Sequence, residues 1–185
     1  LQELDFKILN VITWEKNNPP PNFSCRFFTH SAELIIWARK KEKVPHYYNY
    51  ELMKQLNSNK QMKDVWKLPA IAKWEKSCGK HPTQKPLSIL TRIILASTKP
   101  GAWILDPFAG SSTTSIAANL TNRRFLGIDM ETEFLEISKK RKLEIENEAI
   151  SNRYKQKING FNATNELKLF LESEFLESYS NELPF

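Results

Sequence analysis

The nine residues Asp106-Pro107-Phe108-Ala109-Gly110-Ser111-Ser112-Thr113-Thr114 constrain this chain more than any other stretch. They follow the apolar run Trp103-Ile104-Leu105, which reads as a short buried strand ending at Asp106, and they precede helical spacing at 112–120. Arg124-Phe125-Leu126-Gly127-Ile128-Asp129 reads as the next strand and residues 133–148 as a charged helix. That order predicts a βαβ unit with a parallel sheet, because two parallel strands need a crossover and a helix supplies it. Small residues in the turn let the backbone pass close to a ligand, the helix N-terminus offers N–H groups to a carboxylate, and Ser111 or Ser112 is placed to cap it. The run lacks the Gly-Lys-Thr ending of a phosphate-cradling loop, which disfavours a nucleoside triphosphate. Asp129 closes the second strand 23 residues beyond Asp106, where an acid grips ribose hydroxyls in a Rossmann-type crevice. On the residues alone, an acid at a strand end is equally an accident of the fold.

Residues 6–14 are rich in β-branched and aromatic side chains and stop at the breaker run Asn17-Asn18-Pro19-Pro20-Pro21-Asn22, which predicts a strand. Ala32-Glu33-Leu34-Ile35-Ile36-Trp37-Ala38 leads into the basic residues 39–43 and pairs with that strand as an antiparallel hairpin across a long loop. Short buried helices fit both runs as well, since such lengths do not settle the period. From 45 to 80, Tyr47, Tyr48, Tyr50, Trp66 and Trp74 are interleaved with Lys54, Lys60, Lys63, Lys67, Lys73 and Lys76 without strong periodicity. Rings and Lys stems so mixed suit either a sugar-phosphate surface or the core of an irregular subdomain. Leu87, Leu90, Ile94 and Leu95 predict a helix over 87–97 that Lys99-Pro100-Gly101 stops. Helical potential at 166–179 follows a polar linker around Asn159 and Gly160.

At 185 residues, 41% hydrophobic and 26% charged, the chain suffices for one domain with a core and is too short for two full domains. No apolar run approaches the roughly 18 residues of a membrane span, and Leu1-Gln2-Glu3-Leu4-Asp5 is no signal sequence, so a soluble cytoplasmic protein is expected. The chain opens inside an element under way, a hint of truncation. The net charge of +6 is uneven: residues 1–100 hold 17 Lys and Arg against 8 Asp and Glu, and residues 101–185 hold 10 against 13. A basic front half suits a polyanion such as DNA, or solvated lysines with no partner. Cys25 and Cys78 lack metal-ligand spacing and read as reduced structural thiols.

Residues 106–114 resemble motif I of the class I methyltransferases in the form used by DNA amino-methyltransferases, and Gly127-Ile128-Asp129 resembles motif II. His81-Pro82-Thr83-Gln84-Lys85-Pro86 resembles motif X, and Asn10-Val11-Ile12-Thr13-Trp14-Glu15-Lys16 through Asn22 resembles motif VIII, with residues 30–40 similar to the strand after it. In order and spacing the chain is similar to the C-terminal part of a beta-group S-adenosylmethionine-dependent DNA amino-methyltransferase. The resemblance implies an α/β class I (Rossmann-like) sheet, incomplete in this chain, with an inserted target-recognition region. Residues 1–44 would be the motif VIII hairpin, 45–80 the target-recognition region, 81–146 the cofactor-binding βαβ portion and 147–185 a helical tail. It implies that Asp106, Phe108, Gly110 and Ser111 line the methionine end of S-adenosylmethionine, that Asp129 binds its ribose, and that Thr83, Gln84 and Lys85 close the carboxylate end. Arg39, Lys40, Lys54, Lys60 and Lys63 would meet the DNA. Tyr47-Tyr48-Asn49-Tyr50 and Gln61-Met62-Lys63-Asp64-Val65-Trp66 resemble GATC-specific companion methylases of restriction-modification systems, which implies double-stranded or single-stranded DNA as substrate and a companion restriction endonuclease.

The implied reaction is direct transfer of a methyl group to the exocyclic amine of adenine, with cytosine as the nearest alternative and no cysteine nucleophile. It needs an Asp or Asn, two prolines and an aromatic around a flipped base. Asn18-Pro19-Pro20-Pro21 puts Pro21 where the ring belongs, and in the beta group the catalytic tetrapeptide would lie before residue 1. By the same resemblance the chain supplies family strands 1, 2, 6 and 7 and lacks 4 and 5. Each backbone group so unpaired costs on the order of 1–3 kcal/mol against a domain stability of about 5–15 kcal/mol. The chain alone is therefore expected to bind cofactor weakly and to methylate nothing, being either a fragment or the partner of an N-terminal complementing chain. A non-catalytic DNA-binding remnant is the competing class, and a nicotinamide oxidoreductase is disfavoured by the absence of Gly-x-Gly-x-x-Gly.

Overall fold

A computed structural model describes residues 1–40, 45–79 and 81–161. The chain divides into two compact units, one of Leu1–Tyr47 and Met62–Ala70, the other of Tyr48–Gln61 and the chain from Ile71 onward.

The first unit is a sheet. β1 (Phe6–Lys16) lies centrally, antiparallel to β2 (Ala32–Lys40) and parallel to β3 (Val65–Leu68). The expected hairpin is therefore formed, as strands rather than helices. Val11 pairs with Ile36 and Thr13 with Leu34, and a bulge between Ile8 and Asn10 keeps both ends of β1 in phase with β2. Alternation sends Ile12, Trp14, Trp66 and Leu68 to a buried face, where the Trp14 indole donates to the Leu68 carbonyl at 3.0 Å. Val11, Leu34, Ile36 and Val65 stay exposed on the other face. β3 has only four residues and alternates Trp66 and Leu68 inward with Val65 and Lys67 outward. So short a pattern among lysines carries little weight in the sequence.

The second unit holds α1 (Tyr50–Gln55), α2 (Leu87–Ser97), β4 (Trp103–Asp106), α3 (Thr113–Leu120), β5 (Arg124–Gly127), α4 (Thr132–Glu146) and α5 (Glu148–Phe161). β4 and β5 pair in parallel, with Leu105 opposite Leu126 and Asp106 opposite Gly127, and α3 is the crossover. The predicted βαβ unit is present. Leu87 and Ile94 of α2, Ile116, Ala117 and Leu120 of α3, Ile145 of α4 and Tyr154 and Ile158 of α5 form the core, with Ile104 and Phe125 laid against it.

Three expectations are corrected. β4 is not a buried strand: Ile104 turns inward, but Trp103 and Leu105 are 66% and 62% exposed, because the described helices cover only one face of the pair. The single helix expected at 133–148 breaks at Asn147, whose backbone is extended and whose Oδ1 accepts from the Ile150 N–H, so one residue ends α4 and caps α5. The linker expected around Asn159 and Gly160 is the last turn of α5. The helix expected at 166–179 lies outside the described residues. Among the described residues no helix is long and apolar enough to cross a membrane.

Candidate functional site

The turn after β4 is held from three sides. From within, the Asp106 carboxylate accepts from the Phe108 N–H at 3.1 Å and from the Thr114 hydroxyl at 2.6 Å, which ties the strand end to the first turn of α3. From the neighbouring strand end, Asp129 accepts from the Gly110 N–H at 2.6 Å through one oxygen and from the Glu131 N–H at 3.0 Å through the other. The two acids that the sequence set 23 residues apart thus lie at adjacent ends of β4 and β5, both bonded to one turn. From α4, Ser138 Oγ lies 3.0 Å from the Gly110 carbonyl, and Arg141 donates to the Ser111 carbonyl at 2.6 Å and to the Thr113 hydroxyl at 2.9 Å.

Gly110 has φ of 52°, and a Cβ there would sit 2.9 Å from His81 Nε2, so the position needs glycine for both conformation and space. The His81 ring packs on Phe134 with centroids 4.2 Å apart, and its Nδ1 accepts from the Thr83 N–H at 3.2 Å. The context of His81, which reads in isolation as a surface histidine, places it against the turn. Gln84 donates to the Glu75 carbonyl at 2.8 Å, while Thr83 and Lys85 are exposed. Phe108 stands 88% exposed at the turn. Ser111 and Ser112 are buried, and neither caps α3 as expected. Ser112 occupies the cap position at φ 54° without a side-chain bond, because the left-handed backbone aims its hydroxyl elsewhere.

Charge follows from these bonds. The Glu131 and Gly110 N–H groups, with His81 nearby, hold the Asp129 carboxyl below its ordinary range. A carboxylate has about four lone-pair positions, and two backbone donors leave Asp129 room for hydroxyl donors from a ligand. A small-residue turn with an exposed ring, an anchored ionised carboxylate and a helix N-terminus fits a nucleoside that also carries a carboxylate.

Over residues 1–140 the chain matches the model of the N6/N4 DNA methylase family. The chain belongs to that family. It is 63% identical over 158 residues to the Type II methyltransferase M2.MboI of Moraxella bovis, covering 85% of this chain and 58% of that protein. It is 62% identical over 149 residues to the Type II methyltransferase M2.DpnII of Streptococcus pneumoniae, covering 80% and 55%. The chain therefore spans about half the length of the curated relatives it matches. Among solved structures, the complex of M1.HpyAVI with SAM is similar at a TM-score of 0.64 and 35% identity, covering 76% of this chain and 64% of that one. PvuII DNA methyltransferase, at 0.64 and 21% identity, shares the fold. The class I α/β architecture expected from the motifs is thereby established.

In this member of the DNA methylase family the basic residues expected at DNA fall in both units. Arg39, half-buried, and Lys40, exposed, end β2, and Lys63 is exposed before β3. Lys54 is half-buried on α1, and Lys60 is exposed in the loop after it. Of the interleaved aromatics, Trp66 is buried, and Trp74 packs on Tyr154 at 5.0 Å beside the core. Those two rings take the core alternative. Asn18 of the proline run accepts from the Ala70 N–H at 2.9 Å, which anchors the loop after β1.

The sequence reading missed Glu75, Ser138 and Arg141. Buried Glu75 accepts from the Ala72 N–H at 3.0 Å and the Leu87 N–H at 2.6 Å, so it closes the N-terminus of α2, and burial raises its carboxyl despite those bonds. Burial likewise lowers Arg141 and raises the Cys78 thiol, which donates to Glu144 at 3.1 Å. Cys25 is exposed, and both thiols are free. A signal for Arg141 existed, since Ile137, Arg141 and Ile145 recur at four-residue spacing on one face of a highly charged helix.

Proposed function

We propose that this chain is the cofactor-binding and DNA-facing part of a site-specific DNA methyltransferase that acts on the exocyclic amino group of adenine. The observation that carries the reading is the paired clasp of Asp106 and Asp129 on one small-residue turn, with Gly110 pressed against His81. Family membership and the names of relatives as Type II methyltransferases support it. The solved complex of M1.HpyAVI with SAM supports S-adenosylmethionine as the cofactor.

Asp106, Phe108, Gly110 and Ser111 line the methionine end. Asp106 acts there by fixing the turn, since its oxygens already accept from Phe108 and Thr114. Asp129 takes the ribose hydroxyls on its remaining lone pairs. Thr83, Gln84 and Lys85 close the carboxylate end, where a cation and a helix N-terminus both favour an anion. When bound, S-adenosylmethionine supplies a methyl group on a sulfonium. Residues 45–80 recognise the target, and Arg39, Lys40, Lys54, Lys60 and Lys63 neutralise phosphates, which makes DNA affinity fall with salt. GATC is the sequence to test first. The partners of this reading are double-stranded DNA, a companion restriction endonuclease and a chain that contributes Asp-Pro-Pro-Tyr, a tetrapeptide absent from these 185 residues.

Equilibrium dialysis with radiolabelled S-adenosylmethionine, run beside a methyl-transfer assay on GATC duplexes, tests the reading. Expected are weak but saturable binding, no turnover by the 185-residue chain alone, and turnover when an Asp-Pro-Pro-Tyr-bearing half is added. Binding of GATC duplex with no retention of cofactor would favour the DNA-binding remnant instead.

A further inference from the structure

We infer that Arg141, with Ser138 one turn before it on α4, is a positioning residue that sets the backbone of the turn at 110–113 to receive the cofactor. The inference rests on the cofactor reading above and deepens it.

Arg141 occupies a slot in the apolar stripe Ile137, Arg141, Ile145 and is 3% exposed. An aliphatic side chain would continue the stripe without the desolvation that a buried guanidinium costs. What the guanidinium adds is geometry. Its Nη1 donates to the Ser111 carbonyl at 2.6 Å and the Thr113 hydroxyl at 2.9 Å, and lies 3.3 Å from the Ser111 hydroxyl. Ser138 Oγ lies 3.0 Å from the Gly110 carbonyl and 2.8 Å from the Phe134 carbonyl of its own helix, so its one proton is shared and Arg141 is the stronger hold.

Two consecutive carbonyls of the turn, Gly110 and Ser111, therefore face α4. Every described peptide is trans, and in a trans peptide the N–H points opposite to the carbonyl. The Ser111 N–H shares its peptide with the Gly110 carbonyl and so points away from α4, as a donor on the outer side of the turn. The same geometry withdraws the Ser111 hydroxyl toward Arg141, so the contribution of Ser111 to a ligand is its backbone. Behind the guanidinium, Glu75 and Glu144 offset its charge, and Glu144 is itself held by Ser77 at 3.1 Å, Cys78 at 3.1 Å and Tyr154 at 3.0 Å. One end of this cluster touches the turn and the other does not. Arg141 and Glu144 can thus be perturbed separately.

The test titrates S-adenosylhomocysteine to millimolar concentration into the 185-residue chain and its variants, with urea midpoints and ligand-free amide exchange over 109–113. Arg141→Met should weaken binding by about tenfold or more, the range of one charged hydrogen bond, and speed exchange over 110–113 while α2 is unaffected. Arg141→Lys, which keeps charge and one donor direction, should fall between Arg141→Met and the parent, and Ser138→Ala should lose about two- to threefold. Glu144→Gln should lower the urea midpoint yet bind within about twofold of the parent. Should Arg141→Met fail to fold, Arg141→Lys and Ser138→Ala carry the comparison. Parent-like affinity in the Arg141 and Ser138 variants overturns the inference, and so does a loss that tracks stability equally in Arg141 and Glu144 variants. A parent that binds nothing sinks the cofactor reading, and this inference with it.

Discussion

At Asp129 one carboxylate does two jobs, fixing Gly110 and Glu131 through their N–H groups and presenting its remaining lone pairs outward. Those backbone bonds hold its folded pKa below the unfolded value. The stability it contributes is therefore complete above the ordinary carboxylate range, about pH 4, and is lost as pH falls through the folded value. Asp129→Asn should lower the urea midpoint at neutral pH, and the gap to the parent should close as pH falls below about 4. A gap independent of pH would mean that the charge on Asp129 plays no part in holding the turn. The pairing of Asp106 and Asp129 was legible in the sequence because strand ends in a βαβ unit have a predictable neighbour. The inward turn of Ser111 was not, because it follows from Arg141, thirty residues away.

Between elements, the buried groups fix orientation. Glu75 joins the short helix Lys73–Lys76 to the start of α2 by accepting from Ala72 and Leu87. Removing it in Glu75→Ala leaves the buried Leu87 N–H and the half-buried Ala72 N–H unmatched and should cost about 1–3 kcal/mol for the buried one in urea unfolding, with less for the other. Glu75→Gln, with one acceptor oxygen, should recover part of that. An Ala variant as stable as the parent would show that water replaces the carboxylate. Long patterned elements were legible: β1 from a β-branched run ending at a proline stop, β2 from an apolar run leading into basic residues, and α2 from its spacing and the Pro100-Gly101 stop. β3 was not, because four residues give only two cycles of alternation, and Trp66 and Trp74 among lysines resemble a stacking surface as closely as a core. The break at Asn147 was hidden because a capping asparagine inside a charged run differs little from a solvated one.

Over the whole molecule, burial was the property least legible, since it belongs to neighbours as much as to a residue. Trp103, Leu105 and Leu126 form an apolar outer face on β4 and β5, and Val11, Leu34, Ile36 and Val65 form another on the sheet of β1, β2 and β3. Apolar faces of this kind drive association in water. The 185-residue chain should therefore enhance the fluorescence of a hydrophobic dye and sediment with concentration-dependent mass, and Leu105→Thr with Leu126→Thr should reduce both. A monodisperse chain without dye enhancement would contradict this.

We propose that the turn after β4 and the end of β5 together hold S-adenosylmethionine, the turn at its methionine end and Asp129 at its ribose. That claim is met most directly by following backbone amide resonances while S-adenosylhomocysteine is added. Saturable shifts concentrated at Phe108, Gly110, Ser111, Asp129 and Met130, and abolished in Asp129→Ala, are the predicted result. Shifts centred elsewhere, or none at millimolar ligand, would contradict the account.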